Sequence, residues 1–110
     1  MKSTIKASTD ISYIFSHGKR LGTPYVTVLV LKRDHQHDPQ GRVAFIAAKK
    51  LGCAVWRNNS KRRMRSIMHD LGGPWLGYDV IFIAKSSLLK ASYADVKEAC
   101  GKALKKAHLY

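Results

Sequence analysis

Acidic residues are scarce in this chain: 7 Asp and Glu stand against 20 Lys and Arg, for a net charge of +13. The segment from Lys49 to Arg65, KKLGCAVWRNNSKRRMR, contains no acid at all. A solvated helix normally mixes signs, because alternating charges pair weakly and limit self-repulsion. An unbalanced field instead costs folding stability and draws polyanions, so nucleic acid is the first candidate partner and an anionic membrane surface the second. Cysteine is sparse too. Cys53 and Cys100 lie far apart without metal-ligand spacing, which reads as two thiols in a reducing cytoplasm; nothing local asks for a disulfide. No apolar run approaches the roughly 20 residues of a bilayer crossing. The start, MKSTIKASTD, lacks the apolar stretch of a secretory signal. LGGPWLG lacks the Gly-Lys-Ser/Thr ending of a phosphate-binding loop.

What is present suffices for one folded domain over residues 1–110, since 45% of the 110 residues are hydrophobic. ASTDISYIFSHG reads as a short helix, with Ser8 or Thr9 as cap, Asp10 at its positive end and Gly18 as its stop. Ile11, Ile14 and Phe15 then share a face. Gly22, Thr23 and Pro24 mark a turn. YVTVLVLK is dense in β-branched residues and reads as a strand; RDHQHDPQG is a polar loop, and RVAFIAAK a second strand. These two strands are expected to pair as an antiparallel hairpin with a long mobile connection. A helix follows from Ala54 to about Asp70, broken by LGGPWLG, then a third strand in YDVIFIAK. The last helix runs from Tyr93 to about Ala107, with Ser92 and Asp95 in an S-x-x-D capping pattern and basic final turns. The order α-β-β-α-β-α predicts an α/β (α+β) two-layer sandwich, with helices on one face of a small mixed sheet.

The basic helix separates by angle, at about 100° per residue. Trp56, Ser60, Met64, Ile67 and Leu71 share a sector of roughly 60–80°, the buried side. Arg57, Asn58, Lys61, Arg62, Arg65 and His69 fall on the far side, and Arg63 flanks the apolar stripe. Arg57, Lys61 and Arg65 thus form a ladder with steps of about 6 Å, close to the spacing of successive phosphates on a nucleic-acid strand. Asn58 adds a donor and an acceptor suited to a base edge or 2′-hydroxyl. Lys49 and Lys50, at the end of the preceding strand, extend the patch. A membrane-surface helix would need its apolar face free, yet Trp56, Met64 and Ile67 read as core.

This segment resembles the signature of the protein subunit of bacterial ribonuclease P, approximately K-K-x-G-x-A-V-x-R-N-x-x-K-R-x-x-R. Lys49, Lys50, Gly52, Ala54, Val55, Arg57, Asn58, Lys61, Arg62 and Arg65 occupy its fixed places. Phe15-Ser-His-Gly-Lys-Arg, RVAFIAAKK and GYDVIFIAK are similar to the family's flanking elements, and the resemblance covers roughly residues 8 to 107. It implies a left-handed β-α-β crossover and a cleft between the first helix and the sheet. It also implies a non-catalytic protein subunit, in the cytoplasm, of a ribonucleoprotein endoribonuclease. The RNA subunit would remove the 5′ leader of precursor tRNA with bound Mg²⁺, and the protein would bind that RNA and the leader. By position, Lys49, Lys50, Arg57, Asn58, Lys61, Arg62 and Arg65 become the RNA-binding set, and Ile11 and Phe15 line the leader cleft. Neither a catalytic residue, a metal site nor a small-molecule cofactor is expected on the protein. The chain departs from the family pattern at Ile11, usually phenylalanine, at Asn59 and Ser60, usually basic and aliphatic, and at Ala44, usually glycine.

Two other readings carry less. His35, His37 and Asp38 form H-x-H-D in a polar loop, which reads as solvated side chains because metal binding needs more fixed ligands. His17 and His69 would have to meet to serve as an acid–base pair, and nothing in the sequence joins them. Trp75 and Tyr78 read as packing residues. The alternative to the ribonuclease P reading is a basic ribosomal-protein-like or RNA-chaperone module, which explains the charge but not the ordered signature.

Overall fold

The computed structural model describes residues 8–32, 42–48, 50, 52–73, 75 and 77–107. In chain order the elements are α1 (Ser8–His17), β1 (Lys19–Gly22), β2 (Val26–Lys32), β3 (Arg42–Ile46), α2 (Ala54–Asp70), β4 (Tyr78–Ala84) and α3 (Tyr93–Lys106). The polar loop with His35, His37 and Asp38 lies outside the described residues, as do the side chains read as caps of α1. Gly18 stops α1 where a side chain has no room. Its N–H donates to the Ile14 carbonyl at 2.7 Å, and a Cβ would lie 2.5 Å from that oxygen.

The expected hairpin of β2 with β3 does not form. The sheet order is β1-β2-β4-β3: β2 pairs antiparallel with β1 and β4, while β3 pairs parallel with β4. β4 takes an inner slot beside β2 because YDVIFIA is apolar on both of its alternating faces, and only an inner strand buries both. β1 is the element that composition hid. KRLG offers one buried side chain, Leu21, after two exposed charges, Lys19 and Arg20, that suit an edge strand. Its turn is closed by Thr23, whose hydroxyl accepts from the Val26 N–H at 2.8 Å and donates to the Val26 carbonyl at 2.6 Å.

The mixed α+β class holds, but the layering needs correction. Val28, Val43, Val80 and Phe82 face α2 and α3, packing with Met64, Ile67, Val96 and Leu104. Leu29, Ala44 and Ile81 face the other way and meet Ile14 of α1. Helices therefore cover both faces, because β2 and β4 present apolar side chains in both alternating sets. α1 covers its face incompletely: Ile11, Leu31, Ile46 and Ile83 are only partly buried around that second core. At the β3 end, Arg42 grips the carboxylate of Asp79 through two bonds of 3.1 and 2.8 Å. Asp79 is only 2% exposed, so this pairing is what makes its burial tolerable.

Candidate nucleic-acid interface

α2 spans Ala54–Asp70, the bounds its periodicity predicts, and buries Ser60, Met64, Ile67 and Met68 against the sheet. Trp56 is half-buried beside them and folds over Gly52, where an added Cβ would lie 2.8 Å from the indole ring. That close approach ties the glycine of the motif to the first turn of the helix. Asn58, Lys61, Arg62 and Arg65 are exposed, and Lys50 is exposed just before the helix. Lys49 lies outside the described residues. Arg57 is half-buried, and its Nε is shielded from solvent with no hydrogen-bond acceptor among the described residues.

None of Arg57, Lys61, Arg62 and Arg65 meets a carboxylate among the described residues; the ion pairs found there are Arg42–Asp79 and Lys102–Glu98. The one acid on α2, Asp70, accepts a 2.5 Å hydrogen bond from the Tyr93 hydroxyl of α3. Burial first, and then this carboxylate, push the Tyr93 pKa up to about 12. The helix also starts without an acidic residue in its first turn. Cys53 occupies the N-cap, where the first-turn N–H groups of Trp56 and Val55 hold its thiol below the usual pKa although the sulfur makes no close capping bond. Both cysteines are free, and burial pushes Cys100 up to about 11. The face thus offers positive charge with no carboxylate among the described residues to absorb it.

Two arginines behave differently from the rest. Arg63 is structural: its Nη1 donates to the carbonyls of Leu88 and Ala91 at 3.1 and 2.7 Å, pinning the β4–α3 connection to α2. Arg65 lies over the ring of Phe45 on β3, with its guanidinium carbon 5.5 Å from the ring centre. Sequence reasoning missed this partner. The available signal was alternation, since Phe45 shares the inward-facing parity of Val43 on β3, but only strand pairing and helix docking bring it under Arg65.

The other face of the sheet carries the residues read as cleft-lining. Phe15 is 41% exposed on α1, and Ile11 is partly buried against the Ile14 cluster. On a different flank of α1, Tyr13 is 55% exposed and stacks on His17, with ring centres 4.1 Å apart. His17 and His69 sit on helices packed against opposite faces of the sheet, so they do not form an acid–base pair. Among the described residues no three His, Cys, Asp or Glu side chains gather into a metal-binding group.

The profile of the Ribonuclease P family matches residues 1–108. The chain belongs to the ribonuclease P protein family. The ribonuclease P protein component of Streptococcus mutans is 34% identical over 107 residues, covering 96% of this chain and 87% of that one. Its counterpart from Syntrophomonas wolfei is 28% identical over 110 residues, covering 99% and 90%. Among solved structures, the ribonuclease P protein of Staphylococcus aureus superposes with a TM-score of 0.83 at 24% identity, covering 100% of this chain and 99% of that one. The protein from Thermotoga maritima gives 0.78 at 25%, covering 96% and 97%. As a ribonuclease P protein, this chain is a subunit of a ribonucleoprotein endoribonuclease that acts in tRNA processing. Its partner is RNA.

Proposed function

We propose that this ribonuclease P protein binds the catalytic RNA through Lys49, Lys50, Arg57, Asn58, Lys61, Arg62 and Arg65. It guides the 5′ leader of precursor tRNA along the trough beside α1, past Ile11 and Phe15. The observation that carries the reading is the α2 face. Its ladder cations have no carboxylate partner among the described residues, while the opposite side of the same helix is locked into the core. Such a face is stabilised when phosphates replace its counterions, and the released counterions make binding steeply salt-dependent. The exposed Phe15 and the half-buried Ile11, Ile46 and Ile83 supply an apolar strip for unstacked bases. The protein contributes positioning rather than side-chain chemistry. Mg²⁺ held by the RNA and substrate supplies the activated water. Among the described residues no helix is long and apolar enough to cross a membrane, and cytoplasmic tRNA processing is the setting we assign.

The test is precursor-tRNA cleavage at low Mg²⁺ by a bacterial ribonuclease P RNA, with and without the protein, and with the protein alone as control. Rescue by a protein that is inert alone is expected. Failure to rescue a competent RNA would move the chain to the ribosomal-protein-like or chaperone alternative, and activity of the protein alone would overturn the division of labour. Within the rescued system, Phe15→Ala should lower the preference for precursor over mature tRNA without weakening the RNA subunit's binding.

A further inference from the structure

The cations of α2 are not equally free. Lys61 and Arg62 extend into solvent, and among the described residues neither has a ring beneath it. Arg65 instead rests on Phe45 at 5.5 Å. Phe45 is itself held from below: it stacks on Phe82, with ring centres 5.7 Å apart and planes 14° from parallel. Phe82 is fully buried in the main core, with Trp75 tilted against it at 6.4 Å. The parallel register sets Phe45 directly beside Phe82 on the neighbouring strand. A continuous stack therefore runs from the core to a cation on the surface. The face of an aromatic ring attracts a guanidinium, and a planar guanidinium lying on it gives up rotamers before any ligand arrives.

We infer that Phe45 is a positioning residue for RNA binding: it holds the Arg65 guanidinium in place so that this rung of the ladder meets a phosphate already ordered. The inference rests on the reading of Arg65 as an RNA contact and assigns it a second residue, on a different element, that touches no RNA itself. Immobilising a long side chain on binding costs enough that an arginine ordered in advance should bind roughly two- to tenfold more tightly. The ring changes no charge, so its loss should leave the number of released counterions as it was.

The experiment measures affinity for a bacterial ribonuclease P RNA across a salt series, using wild type, Phe45→Leu, Phe45→Tyr, Arg65→Ala and the Phe45→Leu/Arg65→Ala double variant. Phe45→Leu is expected to weaken binding by roughly two- to tenfold at an unchanged salt slope. Arg65→Ala should lower both affinity and slope, the latter by about one. The double variant should match Arg65→Ala, and Phe45→Tyr, which keeps the ring, should bind as wild type. If Arg65→Ala weakens binding but Phe45→Leu does not, or if the two losses simply add, Phe45 has no positioning role. If Arg65→Ala is itself silent, the RNA-contact reading of Arg65 has failed and the inference goes with it. Should Phe45→Leu unfold, proton NMR of the free wild-type protein decides instead: the ring should shift the Arg65 Hδ and Hε resonances upfield. Unshifted resonances overturn the proposal.

Discussion

α2 and α3 pack on the same face of the sheet, yet they are built by opposite rules. α3 follows the local rules of capping and charge, with Gly101 in its interior as the exception. Ser92 caps it by accepting the Asp95 N–H at 3.1 Å, Asp95 stands in the first turn, and Lys105 and Lys106 stand in the last. Glu98 and Lys102 pair at 3.4 Å one turn apart. α2 starts at Cys53 without a capping hydrogen bond, has no acid in its first turn, stacks like charges at four-residue spacing, and buries a Ser60 hydroxyl that has no partner among the described residues. A helix that breaks several stability rules at once is held by tertiary packing and retained for what its surface does. α3 holds the domain together; α2 spends part of that stability on a charged surface.

The largest expected effect separates the two helices by function. Removing Arg57 and Arg65 together should lower RNA affinity by at least about tenfold, since hydrogen bonds to charged groups are the strong ones. It should also flatten the salt slope by about two. Folding stability should change little, because the relief of repulsion offsets the loss of the Arg65–Phe45 contact. Removing Lys102 and Lys105 from α3 in the same assay should cost far less; an equal loss would erase the contrast.

Next in size is a test within α2. Arg63→Ala deprives the Leu88 and Ala91 carbonyls of their donor and should destabilise the fold by about 1–3 kcal/mol. Chemical denaturation reads this directly, while RNA affinity of the folded fraction should fall less than for Arg57→Ala. The reverse ranking would place Arg63 on the RNA face. The smallest effects have opposite signs on the two helices. Ser92→Ala should cost about 1 kcal/mol by uncapping α3. Ser60→Ala should stabilise by up to about 1 kcal/mol, because it removes a buried hydroxyl left without a partner. If Ser60→Ala is destabilising instead, its hydroxyl has a partner and the account of α2 as the strained helix weakens.

Local pattern alone was enough for the helices and most of their faces. The exceptions are Arg57, placed on the far side with the ladder but half-buried, and Met68, at an angle within that same sector but buried. The Ala54–Asp70 bounds, the Ser92 cap and the exposed positions of Asn58, Lys61, Arg62 and Arg65 follow from a 3.6-residue period and capping chemistry, which act within a few residues. The three apolar strands were legible for the same reason. What depended on distant partners was not. Sheet order turned on which strand could bury both faces, β1 exists only because β2 offers it a ladder, and α1 lies opposite the other helices because β2 and β4 are apolar on both sides. Likewise the sequence determined that Arg63 and Arg65 belong to one basic helix. Only the docking of that helix against the β4–α3 connection and β3 decided that one would clasp two carbonyls and the other lie on Phe45. Those partners come from elements about 20 or more residues away, where pairing and packing, not periodicity, set the geometry.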